Sequence, residues 1–586
     1  MRLLRERWSD LFICLLLAVA ATVMYSPALN SFYLFDDLYV LRYASEYKPF
    51  EFFVNPGVWR KVSISSLTPW VTVSFSLDYH LSGFNPSGFY LHHVISLWLA
   101  SVALYLLLKE FVNKGFALMG SVMFEVSSPA AAVAEMLMAR HYVEGLLFGL
   151  LCFLFFTKAL KKNSLRYSLI AALFYFLSAS SKEIFVPLSI ALLFYPGAGL
   201  RQRLLHSAPL LSIFFVYLIW RNYMLGDLVA GTSGSSALLL CNKGLPLLFL
   251  KHMYGSFLML PGYIGKNLSG ILMLLGVAST GAASCGILIR KKHYGVLLFF
   301  LVLLTAVYSV PFLAGNLYDS VSEFFHYRLM ILIAAFLAGV ASLSMNYLYE
   351  ITKSVESGRL RRNALCCILL LSVGMTLLVF YHSFSWISNN VQTTLRPLIA
   401  EGKFFIRADK DLLLVNSLPA YSPTHYYENL EFFKWKFFGK ASPMVANGPF
   451  FHVGSINVED MKDVKAFKYD PGTGAMAEYT KVFFERRSAF LERVRKMPLS
   501  VSLRVNHGII SFSLGPYEVG RYSLLAGYKP GVYCTILDVP RIVRVRGHTG
   551  LSAYLRFVWE SPEGWVTFSP EWFIDLSEKR EIVWER

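Results

Sequence analysis

The chain is 586 residues long, 55% hydrophobic and 16% aromatic, with only 16% charged residues. Soluble domains carry about 25% charged residues, so this composition excludes an ordinary soluble protein and describes one that crosses a membrane repeatedly. The formal charge of +17 does not point to nucleic acid. Its bases cluster between apolar runs, where they set topology and meet lipid headgroups.

Apolar windows long enough for a bilayer, roughly 17–25 residues, predict about eleven helices. They fall near 9–28, 88–110, 115–133, 141–160, 166–181, 184–199, 205–224, 267–289, 294–313, 326–348 and 363–386. The first reads as a retained signal-anchor rather than a cleaved signal peptide, because its apolar stretch is long. With a cytoplasmic N-terminus, 18 Lys and Arg fall on short inner segments and 11 on much longer outer ones. That distribution follows the positive-inside rule. It predicts a multi-pass protein of a bacterial inner membrane with two large outer loops, 29–87 and 225–266. Aromatic residues of the first loop, including Trp59, Trp70 and Tyr79, are expected to anchor at the lipid interface.

From about residue 388 the pattern changes to short alternating runs bounded by Gly, Pro and Asn, which is a strand-and-turn signature. The expected organisation is therefore a membrane domain, 1–387, followed by an external, soluble, mainly β domain, 388–586, interrupted by one helical stretch near Thr480–Lys496. The seven cysteines show no metal-ligand spacing. Cys241 and Cys534 are the pair that could meet in an oxidising compartment.

Three groups of residues could carry chemistry. Asp36 and Asp37 follow the first span directly. Carboxylates beside a membrane helix are costly unless solvated or bound, and one carboxylate can serve as a general base while its neighbour orients it or holds a divalent cation. The second group is Arg140, Lys182, Arg328 and His326, at expected outer ends of spans and near Glu135, Glu183 and Glu323. Cations there would stabilise a departing lipid phosphate; an ordinary Lys182–Glu183 ion pair is the plainer alternative. The third is Asp78, His80, His92 and His93 at the entry to the second span. Adjacent helical histidines point in different directions, so His92 and His93 do not ligate on one face. No phosphate-binding glycine loop or dinucleotide fingerprint is present, which disfavours a nucleotide-sugar donor.

Five stretches resemble the GT-C-type, polyprenyl-phosphate-sugar-dependent glycosyltransferases, in particular the membrane half of the transmembrane and tetratricopeptide-repeat O-mannosyltransferases and, more distantly, the protein O-mannosyltransferases. They are Phe35-Asp-Asp-Leu-Tyr-Val, Ser74-Phe-Ser-Leu-Asp-Tyr-His-Leu-Ser-Gly-Phe-Asn-Pro-Ser-Gly-Phe-Tyr, Met138-Ala-Arg-His, Ser181-Lys-Glu-Ile and Ser322-Glu-Phe-Phe-His-Tyr-Arg. The resemblance spans roughly residues 10–350. It implies Asp36 as catalytic base with Asp37 beside it, and Arg140, Lys182 with Glu183, and Arg328 facing the lipid-phosphate donor. Two features depart from that pattern. His141 and Tyr142 follow Arg140, the next acid being Glu144, and no tetratricopeptide repeats follow the last span.

The leading expectation is an inverting glycosyltransferase that moves a sugar from a polyprenyl-phosphate donor to a protein hydroxyl or cell-envelope glycan. A transporter or flippase of lipid-linked saccharides would place charges midway along its helices, whereas here they collect at helix ends. A non-catalytic envelope-assembly protein would not need eleven helices as an anchor.

Overall fold

The computed structural model describes residues 2–34, 36–63, 66–226, 294–313, 330–353, 358–390, 395–410, 412–415, 424–446, 465–506, 509–527, 535–546, 552–562, 566–575 and 579–585. The chain divides into two compact units, Met1–Gln392 and Thr393–Arg586.

In the first unit, five helical segments of the described residues are long and apolar enough to cross a membrane: Trp8–Asn30, Pro86–Leu108, Leu137–Lys162, Leu200–Leu225 and Ile331–Lys353. A bent pair, Lys114–Glu125 and Ser128–Ala134, whose axes differ by 52°, is long and apolar enough to make a sixth candidate if it forms one span. The bend has a local cause. Pro129 lacks an N–H for the helical ladder, and the Ser127 side chain caps a new helix by accepting from the Ala130 N–H at 3.4 Å. Leu165–Ser181, Glu183–Leu192 and Tyr294–Val307 are apolar but shorter. The expected span 184–199 resolves into a 3-10 turn, Glu183–Phe185, and a five-residue helix, Leu188–Leu192, separated by Val186 and Pro187. The expected span 267–289 lies outside the described residues; by length and composition the described helices supply five candidate crossings, or six with the bent pair, and the helices Leu165–Ser181, Tyr294–Leu313 and Gly358–Asn390 fall on three more of the eleven expected spans. Large apolar side chains such as Phe12, Val19, Leu173 and Ile219 point outward from these helices. That suits a surface solvated by lipid tails.

Charged and amide side chains close one end of the bundle. Asp10 pairs with Lys109 at 2.6 Å and Lys114 at 2.8 Å. Lys161 pairs with Glu110 at 2.7 Å, and the Asn113 amide donates to Asn346 at 2.9 Å and Glu350 at 3.0 Å. The first large loop folds into helices Asp37–Glu46, Glu51–Val54, Pro56–Val62 and Pro69–Ser82. Pro56 and the Asn55 cap, which accepts from the Gly57 N–H at 2.9 Å, start the third, and Pro69 starts the fourth. Trp59, expected at the lipid interface, is instead fully buried and donates to the Ser66 carbonyl at 3.0 Å. Its indole N–H needs a partner once the ring is packed.

The second unit opens with a helix, Arg396–Arg407, and a four-stranded mixed sheet. Its strands are β1 (Leu412–Val415), β2 (Met444–Ala446), β3 (Lys465–Asp470) and β4 (Ala475–Glu478), in the order β2-β1-β3-β4. β1 runs parallel to β2 and β3, and the β3–β4 pair is antiparallel. A helix, Thr424–Phe438, makes the crossover between β1 and β2, as parallel pairing requires. After the helix Thr480–Lys496 come two antiparallel sheets. One joins β7 (Arg521–Gly527), β8 (Thr535–Asp538), β10 (Ser552–Glu560), β11 (Val566–Phe568) and β12 (Trp572–Asp575); the other joins β5 (Ser500–Asn506), β6 (Ile509–Gly515), β9 (Ile542–Arg546) and β13 (Lys579–Glu585). Alternation along β5 sends Val501, Leu503 and Val505 inward, into one apolar core with Phe512, Leu524, Phe557 and Trp559.

Candidate active site

The two adjacent acids have opposite environments. Asp36 is exposed, whereas Asp37 retains 1% of its accessible surface. Asp37 opens the helix Asp37–Glu46, and its side chain reaches back over the turn. Its Oδ2 accepts from the Leu34 N–H at 2.7 Å, and its Oδ1 accepts from the Met138 N–H at 2.8 Å. The first bond closes the turn that presents Asp36. The second ties that turn to the 3-10 segment Leu137–Ala139, next to Arg140. Burial pushes the Asp37 carboxyl up to about 8, against the downward pull of the two backbone N–H bonds and of Arg140. The pair thus does not present two open carboxylates side by side to a cation. Among the described residues, no three His, Cys, Asp or Glu side chains are grouped to hold a metal.

Behind this turn lies a buried charged network. Spacing of four residues puts Trp70, Ser74 and Asp78 on one face of the helix Pro69–Ser82, and Arg140 and Glu144 on one face of Arg140–Lys162. The Arg140 guanidinium is fully buried. Its Nη1 pairs with Asp78 Oδ2 and donates to Ser74 Oγ at 3.2 Å, and its Nη2 donates to the Phe89 carbonyl at 2.6 Å. The Phe75 ring lies against its plane, 4.9 Å from centroid to Cζ. Glu144 accepts from Ser74 Oγ and from the Trp70 indole N–H, both at 2.7 Å. His92 closes the network, with Nδ1 2.7 Å from Asp78 and Nε2 3.5 Å from Glu144. Its neighbour His93 points elsewhere, to the Val133 carbonyl at 2.7 Å. His80 bonds the Ser76 carbonyl on its own helix at 2.6 Å.

Lys182 and Glu183 follow the helix Leu165–Ser181, where the backbone turns extended. Lys182 Nζ sits over the Tyr142 ring at 5.4 Å and lies 3.8 Å from Glu183. Glu183 Oε1 accepts from the Leu67 N–H at 2.5 Å and from Arg221 Nη1 at 2.8 Å, so it fastens the first loop to the helix Leu200–Leu225. Glu135 is buried, and burial pushes its carboxyl up to about 7. His326, Arg328, Glu323, Cys241 and Cys534 lie outside the described residues.

The structure therefore gathers Asp37, Met138 and the Arg140 turn, joins Arg140 to Asp78, and brings Lys182 to Tyr142. It adds Ser74 and Trp70, which are legible only once the four-residue helical spacing is applied across two separate helices, and Arg221, which reaches Glu183 from the helix Leu200–Leu225.

Residues 67–222 match the family described as dolichyl-phosphate-mannose-protein mannosyltransferase. No curated protein sequence matches the chain. Among solved structures, the archaeal oligosaccharyltransferase AglB from Archaeoglobus fulgidus, in complex with an inhibitory peptide and a dolichol-phosphate, is 12% identical with a TM-score of 0.42, over 64% of this chain. This chain covers 56% of that protein's length. ArnT from Cupriavidus metallidurans in the apo state is 14% identical with a TM-score of 0.40, over 74% of this chain and 85% of its own. The same protein bound to undecaprenyl phosphate is 13% identical with a TM-score of 0.37, over 71% and 84%. The segment holding Asp78, Arg140 and Lys182 thus matches the sequence pattern of the dolichyl-phosphate-mannose-protein mannosyltransferases, in a chain with several helices long and apolar enough to cross a membrane.

Proposed function

We propose that the chain is an inverting glycosyltransferase that takes a sugar from a polyprenyl-phosphate donor and places it on a protein hydroxyl or cell-envelope glycan, at the outer face of the membrane. The observation that carries this reading is the division of labour between neighbouring acids. Asp36 is exposed, and Asp37 is buried and bonded to the Met138 N–H beside Arg140. Asp36 is then the general base. The acceptor hydroxyl gives up its proton to the Asp36 carboxylate as its oxygen bonds to the anomeric carbon and the polyprenyl phosphate leaves from the opposite face. Phosphate is a competent leaving group, so one placed base is enough. Lys182, partly exposed with its ammonium over the Tyr142 ring, and Arg328 face the departing phosphate in this proposal. Arg140 is fully enclosed; it acts from behind, adding positive potential and ordering the Asp37–Met138 contact. The unit Thr393–Arg586 serves acceptor binding or assembly.

The test is mass spectrometry of envelope proteins and glycans from cells with and without the chain. Loss of a hexose-sized modification supports the proposal and identifies the acceptor. An unchanged envelope, with lipid-linked saccharide trapped on one leaflet, would replace it with transport.

A further inference from the structure

The helix Thr424–Phe438 of the second unit is fixed on one side and open on the other. Its Lys434 is fully buried, donating to the carbonyls of Phe405 (3.0 Å) and Ala408 at the end of the helix Arg396–Arg407. An ammonium there satisfies carbonyls that the ending helix leaves unpaired. Leu430 and Phe433 are likewise fully buried. With that side locked, the last turn presents Trp435 at 68%, Phe438 at 52% and Phe437 at 39% exposure. Lys436 and Lys440 are exposed among them. Three large aromatic side chains this exposed at the end of one helix form an apolar patch that suits a surface apolar inside and polar at its edge.

We infer that the Trp435–Lys440 turn is a membrane-docking surface, with Trp435, Phe437 and Phe438 entering the headgroup boundary of an anionic bilayer and Lys436 and Lys440 meeting its phosphates. Two observations select a bilayer over a second copy of the chain. The composition is that of an interfacial anchor, aromatic rings whose edges tolerate headgroups, flanked by lysines that favour anionic lipid. The helix Arg396–Arg407 also begins only a few residues after the apolar helix Gly358–Asn390 ends, so the covalent tether keeps a bilayer within reach.

The test uses the full-length protein in nanodiscs that contain a diazirine-bearing phospholipid, with or without phosphatidylglycerol, and maps photo-adducts by mass spectrometry. Adducts are expected on residues 431–440, rising about fivefold or more with phosphatidylglycerol. Trp435→Ser with Phe438→Ser should remove most of them while labelling of the helix Pro86–Leu108 stays constant. Both residues are exposed, so the buried side of the helix remains intact. Lys436→Glu with Lys440→Glu should keep the labelling in neutral lipid and lose its rise with anionic lipid. Absence of adducts on 431–440 while the spanning helices label fully would overturn the inference, as would protection of the turn by cross-links to a second copy.

Discussion

The Asp37 side-chain Oδ1 accepts a hydrogen bond from the Met138 backbone N–H at 2.8 Å, joining the loop after the first span to the turn that leads into Arg140. Two segments 101 residues apart are thereby set in register at one end of the bundle. Asp36, one residue away, is exposed.

Asp37 makes stability pH-dependent in a definite direction. Its carboxyl is raised to about 8 in the folded protein from an ordinary value of 3.8. Between those values the folded state holds a proton that the unfolded state releases. Its contribution to stability is therefore greatest at low pH, falls as pH rises through the window, and levels off above about 8, with a limiting slope of about 1.4 kcal/mol per pH unit. Melting temperatures in detergent from pH 5 to 9 should decline more steeply for the wild type than for Asp37→Asn. Parallel profiles would show that Asp37 does not carry the effect.

Arg140 and Asp78 should be mutually dependent. Asp78→Asn leaves a fully buried guanidinium without its carboxylate, at a cost of about 3–5 kcal/mol. Arg140→Met leaves the buried Asp78 with only its His92 contact, 2.7 Å away, and should also destabilise, by about 2–4 kcal/mol. The double variant should melt above the sum of the two losses. Additive losses would mean that the pair is not coupled.

Gly145 is held by space. A Cβ there would lie 2.3 Å from the Phe185 ring, while the Gly145 carbonyl accepts from Ser178 Oγ at 2.7 Å. Gly145→Ala should destabilise by about 1–3 kcal/mol through overpacking. Phe185→Leu in the same chain should recover part of the loss, and the thermal midpoint of the double variant reads the recovery. A single variant that melts normally would show that the helices shift apart freely.

Composition and the apolar windows made the membrane class legible, because crossing a bilayer demands long apolar helices whatever their packing. Helix ends were harder to read. Ser127 and Pro129 break the third span in a way that hydropathy averages away, and Pro187 interrupts the sixth. The acidic pair was visible in the sequence, but not which carboxylate would be enclosed, since that depends on Met138 arriving from a distant segment. Arg140 was legible as a cation at a helix end; its complete burial was not, because Asp78, Ser74 and Phe89 come from two other helices. In the tail, alternation revealed β5. The uniformly apolar Leu412-Leu-Leu-Val415 carries no period to separate a parallel buried strand from a helical turn.

The central claim rests on Asp36. Asp36→Asn keeps the side-chain shape and removes its basicity. The direct measurement is single-turnover transfer of a radiolabelled sugar from its polyprenyl-phosphate donor to the acceptor, with donor binding measured on the same preparation. Transfer should fall by about 10²–10⁴-fold, the usual scale for a general base, with donor binding retained. Near-normal transfer by the double variant Asp36→Asn, Asp37→Asn would contradict the account, because the pair would then have no part in the chemistry.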